Sequence, residues 1–376
     1  MNAKEILAQL VAIPSVVGTP NGAIVDFIRR WLGERNVSST IIAGPEGDRF
    51  NLFATIGDPS VAGGYVLSGH TDVVPAQEAT WTGDPFALKQ EGERLIGRGA
   101  VDMKGFVSCM LAAVPRFLEK RLDKPLHLAF SYDEEAGCRG MPHLIERLPS
   151  LCAPPAGCIV GEPTSMRAVL RHKGKMAARL SITGRSGHSS RPELGLNAIH
   201  GMADIIACIR DEATRHTKDG PFNPMFEPSC STLQAGVISG GSAVNIIPAD
   251  CTLDMEIRAI PGVDPMSLFG PVERTAKRLV AEGGYEVETT ILSNYPGLDL
   301  RDDDPLVELA ESISGKPNAG AVSFGTEAGL YQQAGIPAVV CGPGDIARAH
   351  RANEFILESE LAECQAVLER LAERLC

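Results

Sequence analysis

The sequence predicts an α/β protein of two domains. One is a discontinuous domain with a mixed, mostly parallel sheet flanked by helices, and the other is an inserted ferredoxin-like α+β domain. Three observations carry this. Residues 1–170 alternate helical and apolar-strand patterns, residues 175–287 follow a β-α-β-β-α-β order, and the α/β alternation then resumes. At 376 residues the chain is also long for a single core.

Taken in order, the first domain has helices expected at Lys4–Val11, Ala23–Leu32 and Gly105–Leu118. Apolar runs at Tyr65–Ser68, Leu126–Ser131 and Gly157–Val160 read as strands. Alternation of this kind implies a largely parallel sheet covered on both faces. From Lys175 the pattern changes: Met176, Ala178, Leu180 and Ile182 share one side of a strand reaching Thr183. A helix follows from Gly195 to about Thr214, then a strand near Ser231–Ile238. In the strand Cys251–Ala259, Cys251, Leu253, Met255 and Ile257 oppose Thr252, Asp254, Glu256 and Arg258. A helix at about Pro265–Ala281 and a strand at Tyr285–Leu292 complete the set. Two helices then cover one face of a four-stranded antiparallel sheet and leave the other polar. The expected domains are 1–174 with 288–376, and 175–287. The α/β pattern resumes through Ala338–Cys341. It ends in a helix after Glu358, with Leu361, Cys364, Val367, Leu368, Leu371 and Leu375 on one stripe.

Composition narrows the function. Hydrophobic residues make up 44% and charged residues 22%, an ordinary globular balance. A net charge of −12 argues against nucleic acid and against anionic membrane surfaces. No stretch approaches the roughly 20 apolar residues of a transmembrane helix. The first residues, MNAKEILAQLVAIPSV, read as an amphipathic helix rather than a secretory signal. Ten cysteines are scattered without a CxxC pair, and several sit in apolar runs, which favours reduced, buried thiols and a cytoplasmic setting.

Imidazoles and carboxylates are the ligands of hard and borderline metals, and they must converge from separate elements. Four candidate groups follow apolar strands: Gly69-His70-Thr71-Asp72, Asp133-Glu134-Glu135, Gly161-Glu162-Pro163-Thr164, and Ala349-His350. The ends of parallel strands share one edge, where open α/β sheets place their sites. His70 and Asp72, two apart on extended backbone, point the same way, so Asp72 can accept the ring's other N–H and fix its tautomer. A fifth group, Gly97-Arg98-Gly99-Ala100-Val101-Asp102, precedes a helix. Asp102 can bridge two cations through its two oxygens, or cap that helix. The Gly-x-Gly lacks the later glycine and the Lys-Ser/Thr of a phosphate loop. Glu134 and Glu135 diverge on extended backbone, which lets one hold metal while the other faces a reacting water. Each group alone has a bland reading as a solvated loop or an exposed imidazole; the coincidence of all five argues for a site.

These stretches resemble the M20 family of co-catalytic zinc peptidases and deacylases. The matches are SGHTDVVP (68–75), GRGAVDMKG (97–105), SYDEEAG (131–137), GEPT (161–164), SGHSSRPELGLNAI (186–199) and AHRANEF (349–355), in order along nearly the whole chain. The resemblance implies two zinc ions, with cobalt or manganese as substitutes. His70, Asp102 and Glu162 would bind one, and Asp102, Glu135 and His350 the other, with Asp72 orienting His70. It makes Glu134 the general base and the Asp102–Met103 bond cis. It also implies a homodimer through the inserted lid domain, with His188 reaching the partner's active site to donate to the oxyanion. Asn245 and Arg258 would take the substrate's carboxylate. As a bland alternative, His188 is a loop histidine and Arg258 a surface arginine.

Residues 323–356 most resemble the acetylornithine deacetylase branch of that family. The expected substrate is therefore a small N-acyl amino acid, N2-acetyl-L-ornithine, cleaved to acetate and ornithine in arginine biosynthesis. Glu327 offers a carboxylate for its terminal ammonium. Succinyl-diaminopimelate desuccinylase is the alternative, followed by a broader N-acyl-amino-acid hydrolase or carboxypeptidase. A relative that binds without catalysis would have lost Glu134 or a ligand, and all are present.

Overall fold

Four runs too apolar to leave either face in water form the parallel centre of a nine-stranded sheet. They are Leu126–Ser131, Tyr65–His70, Gly157–Pro163 and Ala338–Gly342, side by side in that order in the computed structural model, which describes residues 1–77 and 79–376. Every residue of the first, third and fourth is buried, as expected of strands covered on both faces. Outside them the pairing turns antiparallel: Ser39–Ala43 lies on Phe50–Ile56, which lies on Leu126–Ser131, and Ala338–Gly342 meets Val169–His172 at the other side. The sheet is thus mixed, with its parallel part in the middle.

Helices Ala3–Val11, Gly22–Gly33, Gly105–Glu119 and Glu358–Arg374 bring Ile6, Leu10, Ile28, Phe106, Met110, Phe117, Leu361 and Leu368 into one core with the sheet. Each such side chain contributes about 1.5–3 kcal/mol by leaving water. The first helix starts where a capping box starts it. The Asn2 side chain accepts from the Glu5 amide, and the Glu5 carboxylate accepts from the Asn2 amide. This unit comprises Met1–Arg171, Leu298–Ala321 and Thr326–Cys376.

The second unit is His172–Gly297 with Val322–Gly325. Its strands lie in the order Thr232–Gly240, Asp250–Ala259, Gly174–Thr183, Glu286–Tyr295, all antiparallel. Helices Ala198–Asp219 and Pro265–Gly283 supply Ile205, Ile209, Phe269 and Val272 to a core with Met176, Leu180, Leu253 and Ile257. Two details depart from expectation. The last strand continues past residue 287, where the sequence pattern closes the domain, because its pairing with Gly174–Thr183 runs through a bulge to Tyr295 opposite Lys175. The long helix begins at Ala198 rather than Gly195. Pro192–Leu194 forms a separate tight turn, and the Asn197 side chain caps the helix by accepting from the amides of Ile199 and His200.

All ten cysteines are free thiols. Among the described residues no helix is long and apolar enough to cross a membrane.

Gly161, in the strand Gly157–Pro163, marks where packing is tightest near the sheet's carboxyl edge. A Cβ there would stand 1.9 Å from Cδ1 of Phe106. Gly161→Ala is expected to destabilise the protein by about 1–3 kcal/mol through overpacking. Gly33→Ala, with nothing within 4 Å, should stay within about 1 kcal/mol of wild type. Urea denaturation of the two variants checks the contrast.

Candidate metal centre

The four parallel strands end on one side of the sheet, so the residues following them converge there. His70 closes its strand and is 1% exposed. Its Nε2 lies 3.0 Å from Oδ1 of Asp102 and 3.5 Å from Oε1 of Glu162. His350, which is exposed, places Nε2 3.2 Å from Oδ2 of Asp102 and 2.9 Å from Oε1 of Glu135. Asp102 therefore turns one oxygen to each imidazole. Within each triad, His70–Asp102–Glu162 and Asp102–Glu135–His350, the ligand atoms all lie within 4.8 Å of one another. The first triad is buried and the second opens to solvent.

Asp72 acts differently from its sequence expectation. Nδ1 of His70 is 2.9 Å from the Asp72 main-chain carbonyl and 3.6 Å from its carboxylate. A carbonyl only accepts, so Nδ1 carries a proton, and Nε2 is left as the ring nitrogen that faces Asp102 and Glu162 and that a metal would take in place of its proton. The Asp72 carboxylate instead accepts from the backbone N–H groups of Glu134 and Glu135, both at 3.1 Å.

The extended backbone expected at Glu134-Glu135 is also corrected. Asp133 has φ +49°, and the Glu134 carbonyl accepts from the amides of Gly137 and Cys138, so the acidic pair sits on a turn. Asp133 is anchored there because its carboxylate accepts from the Gly18 amide at 2.8 Å and forms an ion pair with the Arg49 guanidinium, Nε lying at 3.2 Å. The Cys138 thiol donates to Oε1 of Glu134 at 3.4 Å.

Positive-φ backbone gathers at these loops. Seven described residues other than glycine adopt it, and all but Asn36 lie within or just after the matched stretches: Asp133, Cys138, Ser165, Met166, His350 and Asn353. Such conformations cost of order 1–3 kcal/mol each and persist where surrounding contacts impose them. The Asp102–Met103 bond is cis, as the resemblance implies.

The electrostatics show what the cluster lacks. Burial, with Glu135 and Asp72 nearby, pushes Glu134 up to about 8. Burial and then the Asp102 charge push Glu162 well above the carboxylate range. Hydrogen bonds to Asp102 and Glu135 raise His350 to about 10. Burial alone would lower His70, yet Asp102, Glu162 and Asp72 hold it well above 6.5. Glu134 and Glu162 are thus driven toward their neutral forms and both imidazoles toward their cationic ones, while Asp102, despite its burial, is held below the usual carboxylate range by hydrogen bonds from His350 and His70, so the cluster is short of positive charge. Two imidazoles and three carboxylates, with one carboxylate shared, fit a pair of divalent cations.

Glu327 does not join the groups open to a substrate. It is 1% exposed, and its carboxylate accepts from the hydroxyls of Ser68 and of Ser131, the latter at 2.7 Å. Ser68 also meets the Tyr331 hydroxyl at 2.9 Å. Enclosed this way, Glu327 braces the strand ends behind His70 and Glu134, and the expected contact with a substrate ammonium is withdrawn.

His188, Asn245 and Arg258 belong to the second unit. His188 is exposed on a short ribbon paired with Ile246–Ile247. Its Nδ1 accepts from the Ser190 amide at 3.2 Å. Asn245 is exposed beside it, and its carbonyl accepts from Ser189. Arg258 sets its guanidinium on Glu256, with contacts of 2.9 and 3.2 Å.

Sequence reasoning passed over two charged residues inside its own matched stretches, Arg98 and Glu354. They are 1% and 2% exposed and pair at 3.0 Å. A charged residue flanked by glycines, and a second one four residues after His350, were the available signals.

Asp72→Ala removes the acceptors of two backbone amides without replacing a residue of either triad. Hydrogen exchange at Glu134 and Glu135 should accelerate about tenfold or more, as expected for losing roughly 1.5–3 kcal/mol of charge-assisted bonding. Unchanged protection would show that the turn holds itself.

Residues 66–374 match the model of peptidase family M20/M25/M40. The acetylornithine deacetylase of Photorhabdus laumondii is 33% identical over 380 residues, covering 99% of this chain and 97% of that one. The acetylornithine deacetylase of Proteus mirabilis is 35% identical over 385 residues, covering 99% and 96%. Among solved structures, an M20 family metallo-carboxypeptidase from Sulfolobus solfataricus superimposes with a TM-score of 0.79 at 18% identity, covering 99% of both chains. A tripeptidase from Staphylococcus aureus gives 0.75 at 20% identity, covering 100% and 98%. With two imidazole–carboxylate triads sharing Asp102 at the carboxyl edge of this fold, the chain belongs to the M20/M25/M40 peptidase family of metallohydrolases.

Proposed function

We propose that this chain deacetylates N2-acetyl-L-ornithine, cleaving its amide to acetate and L-ornithine in arginine biosynthesis. The observation that carries the chemistry is the sharing of Asp102 between two ligand triads with Glu134 alongside. Full-length similarity to acetylornithine deacetylases supports the substrate. His70, Asp102 and Glu162 would hold one ion and Asp102, Glu135 and His350 the other, with zinc favoured by the donor set and cobalt or manganese able to replace it. When bound, the ions supply Lewis acidity toward the amide carbonyl and lower the pKa of a water.

The chain's own groups do the rest. Glu134 takes a proton from the attacking water and returns it to the leaving amine. Its place is set by the Asp72 carboxylate on its amide and by the Cys138 thiol on Oε1. On His188, acceptance at Nδ1 leaves Nε2–H as the donor, suited to a developing oxyanion. In this reading His188 reaches the site of a second subunit, in a homodimer formed through the 175–287 lid. Arg258 can exchange Glu256 for the substrate's carboxylate, which its planar fork would hold in two bonds, and Asn245 adds an amide. The net charge of −12 favours acetylornithine, which is neutral overall with a cationic terminus, over the dianionic succinyl-diaminopimelate. Ten free thiols agree with a reducing cytoplasm.

A panel of N2-acetyl-L-ornithine, N-succinyl-diaminopimelate and other N-acyl amino acids, assayed with and without a chelator, tests this reading. Acetylornithine should give the highest kcat/KM, and the chelator should abolish turnover. Preference for the succinyl substrate, or activity surviving the chelator, overturns it. Glu134→Gln should lower kcat by about two to four orders of magnitude with both metal equivalents retained; near-normal turnover would remove Glu134 from its role.

A further inference from the structure

We infer that Glu354 is a positioning residue for the shared ligand Asp102 and for His350, acting through the loop that carries Asp102. The inference rests on the reading of those two residues as metal ligands.

The glycine-rich stretch 97–102 folds its backbone N–H groups inward, as a phosphate loop does, but what they hold is a carboxylate of the chain itself. Oε2 of Glu354 accepts from the Gly99 amide and from Arg98 Nη1, both at 3.0 Å. Oε1 accepts from the amides of Val101 at 3.0 Å and Asp102 at 3.1 Å. The Glu354 carbonyl takes a further bond from the Gly97 amide at 2.9 Å. With two donors on each oxygen the carboxylate has no lone pair directed at a metal, so Glu354 is not itself a ligand. Gly99 makes the cradle possible. It has φ +79°, and a Cβ there would stand 2.4 Å from Cγ1 of Val73.

The last amide on that carboxylate is Asp102's own, so the position of Glu354 sets the backbone from which the shared side chain projects. Glu354 is also four residues from His350, across a turn with positive φ at His350 and Asn353. Arg98 completes the tie: Nη1 reaches the Arg351 carbonyl at 3.3 Å and Nη2 the Pro75 carbonyl at 3.1 Å. One ion pair thereby joins the loop after His70, the loop of Asp102 and the loop of His350. A charge this deeply enclosed holds its geometry because every alternative leaves it unpaired.

The test is titration of the chelator-stripped full chain with Co2+, read by calorimetry and by the visible absorption of the bound ion. Glu354→Gln removes the charge and two acceptor sites. It should weaken the second Co2+ equivalent about 10–100-fold, the range seen when groups supporting metal ligands are lost, and should alter the absorption band while far-UV circular dichroism stays native. A folded Glu354→Gln that binds both equivalents with wild-type affinity and spectrum overturns the inference, and so does a loss of thermal stability alone. If Glu354→Gln does not fold, Glu354→Asp, which retracts the carboxylate by one methylene, carries the same expectation at smaller amplitude. Failure of both to fold assigns Glu354 to the fold and overturns the positioning role. A wild-type chain that binds fewer than two equivalents refutes the two-metal reading instead.

Discussion

Carboxylates crowded beyond what two imidazoles can balance are the constraint on which the rest of the first unit depends. Asp102 has a carboxylate neighbour in each triad, Glu162 in one and Glu135 in the other, with ligand atoms within 4.8 Å. At an effective dielectric of about 20, two unit charges at that distance repel by roughly 3–4 kcal/mol. Two such pairs, with Asp72 and Glu134 adding to them, rival the roughly 5–15 kcal/mol by which a domain is stable. The upward shifts of Glu134, Glu162 and His350 are the protein's response when protons alone supply positive charge. Divalent cations would supply it more fully, and the second triad, where His350 is exposed, is the more open of the two.

Holding such a cluster requires backbone that cannot relax. The loops meet the requirement in two ways. Positive-φ residues fix sharp turns at Asp133, Cys138, His350 and Asn353, and buried carboxylates outside both triads are used as anchors. Asp72 anchors the amides of Glu134 and Glu135, Glu354 those of Gly99, Val101 and Asp102, and Glu327 the hydroxyls of Ser68 and Ser131. Each anchor adds negative charge to a region already rich in it. That choice fits a site where cations compensate the total and where hydrogen bonds to ionised groups are about twice as strong as neutral ones.

This division of labour explains what could be seen in the sequence. The fold was legible because apolar runs and alternations report burial directly, and Leu126–Ser131 or Cys251–Ala259 admit few other readings. The candidate groups at His70, Glu135, Glu162 and His350 were legible because imidazoles and carboxylates placed after parallel strands share one edge, while their division into two triads around Asp102 came with the family resemblance. The anchors were not, because an anchoring carboxylate and a ligating one are the same residue type. Asp72 was read through its side chain when its carbonyl orients His70. Glu327 was read as facing substrate when two serines enclose it. Glu134 was read on extended backbone because spacing says nothing of the left-handed turn at Asp133. Glu354 and Arg98 drew no attention although both lie inside matched stretches, since their partners are backbone amides and carbonyls, which no sequence pattern displays.

The same reasoning separates chemistry from specificity in this chain. Apart from His188, the groups proposed for bond cleavage sit on strand ends and turns of the first unit, which suits a reaction common to many amides. The groups proposed for recognition, Asn245 and Arg258, sit on the second unit, where Asn245 is exposed and Arg258 shares its guanidinium with Glu256. A guanidinium already satisfied by a neighbour is discriminating, because a ligand must match the geometry of the carboxylate it replaces. With Glu327 enclosed by two serines, the ammonium of the proposed substrate is left to the long-range field of an acidic protein, a weaker and salt-sensitive form of selection. In the proposed reading, specificity therefore depends more on the carboxylate end of the substrate than on its side chain.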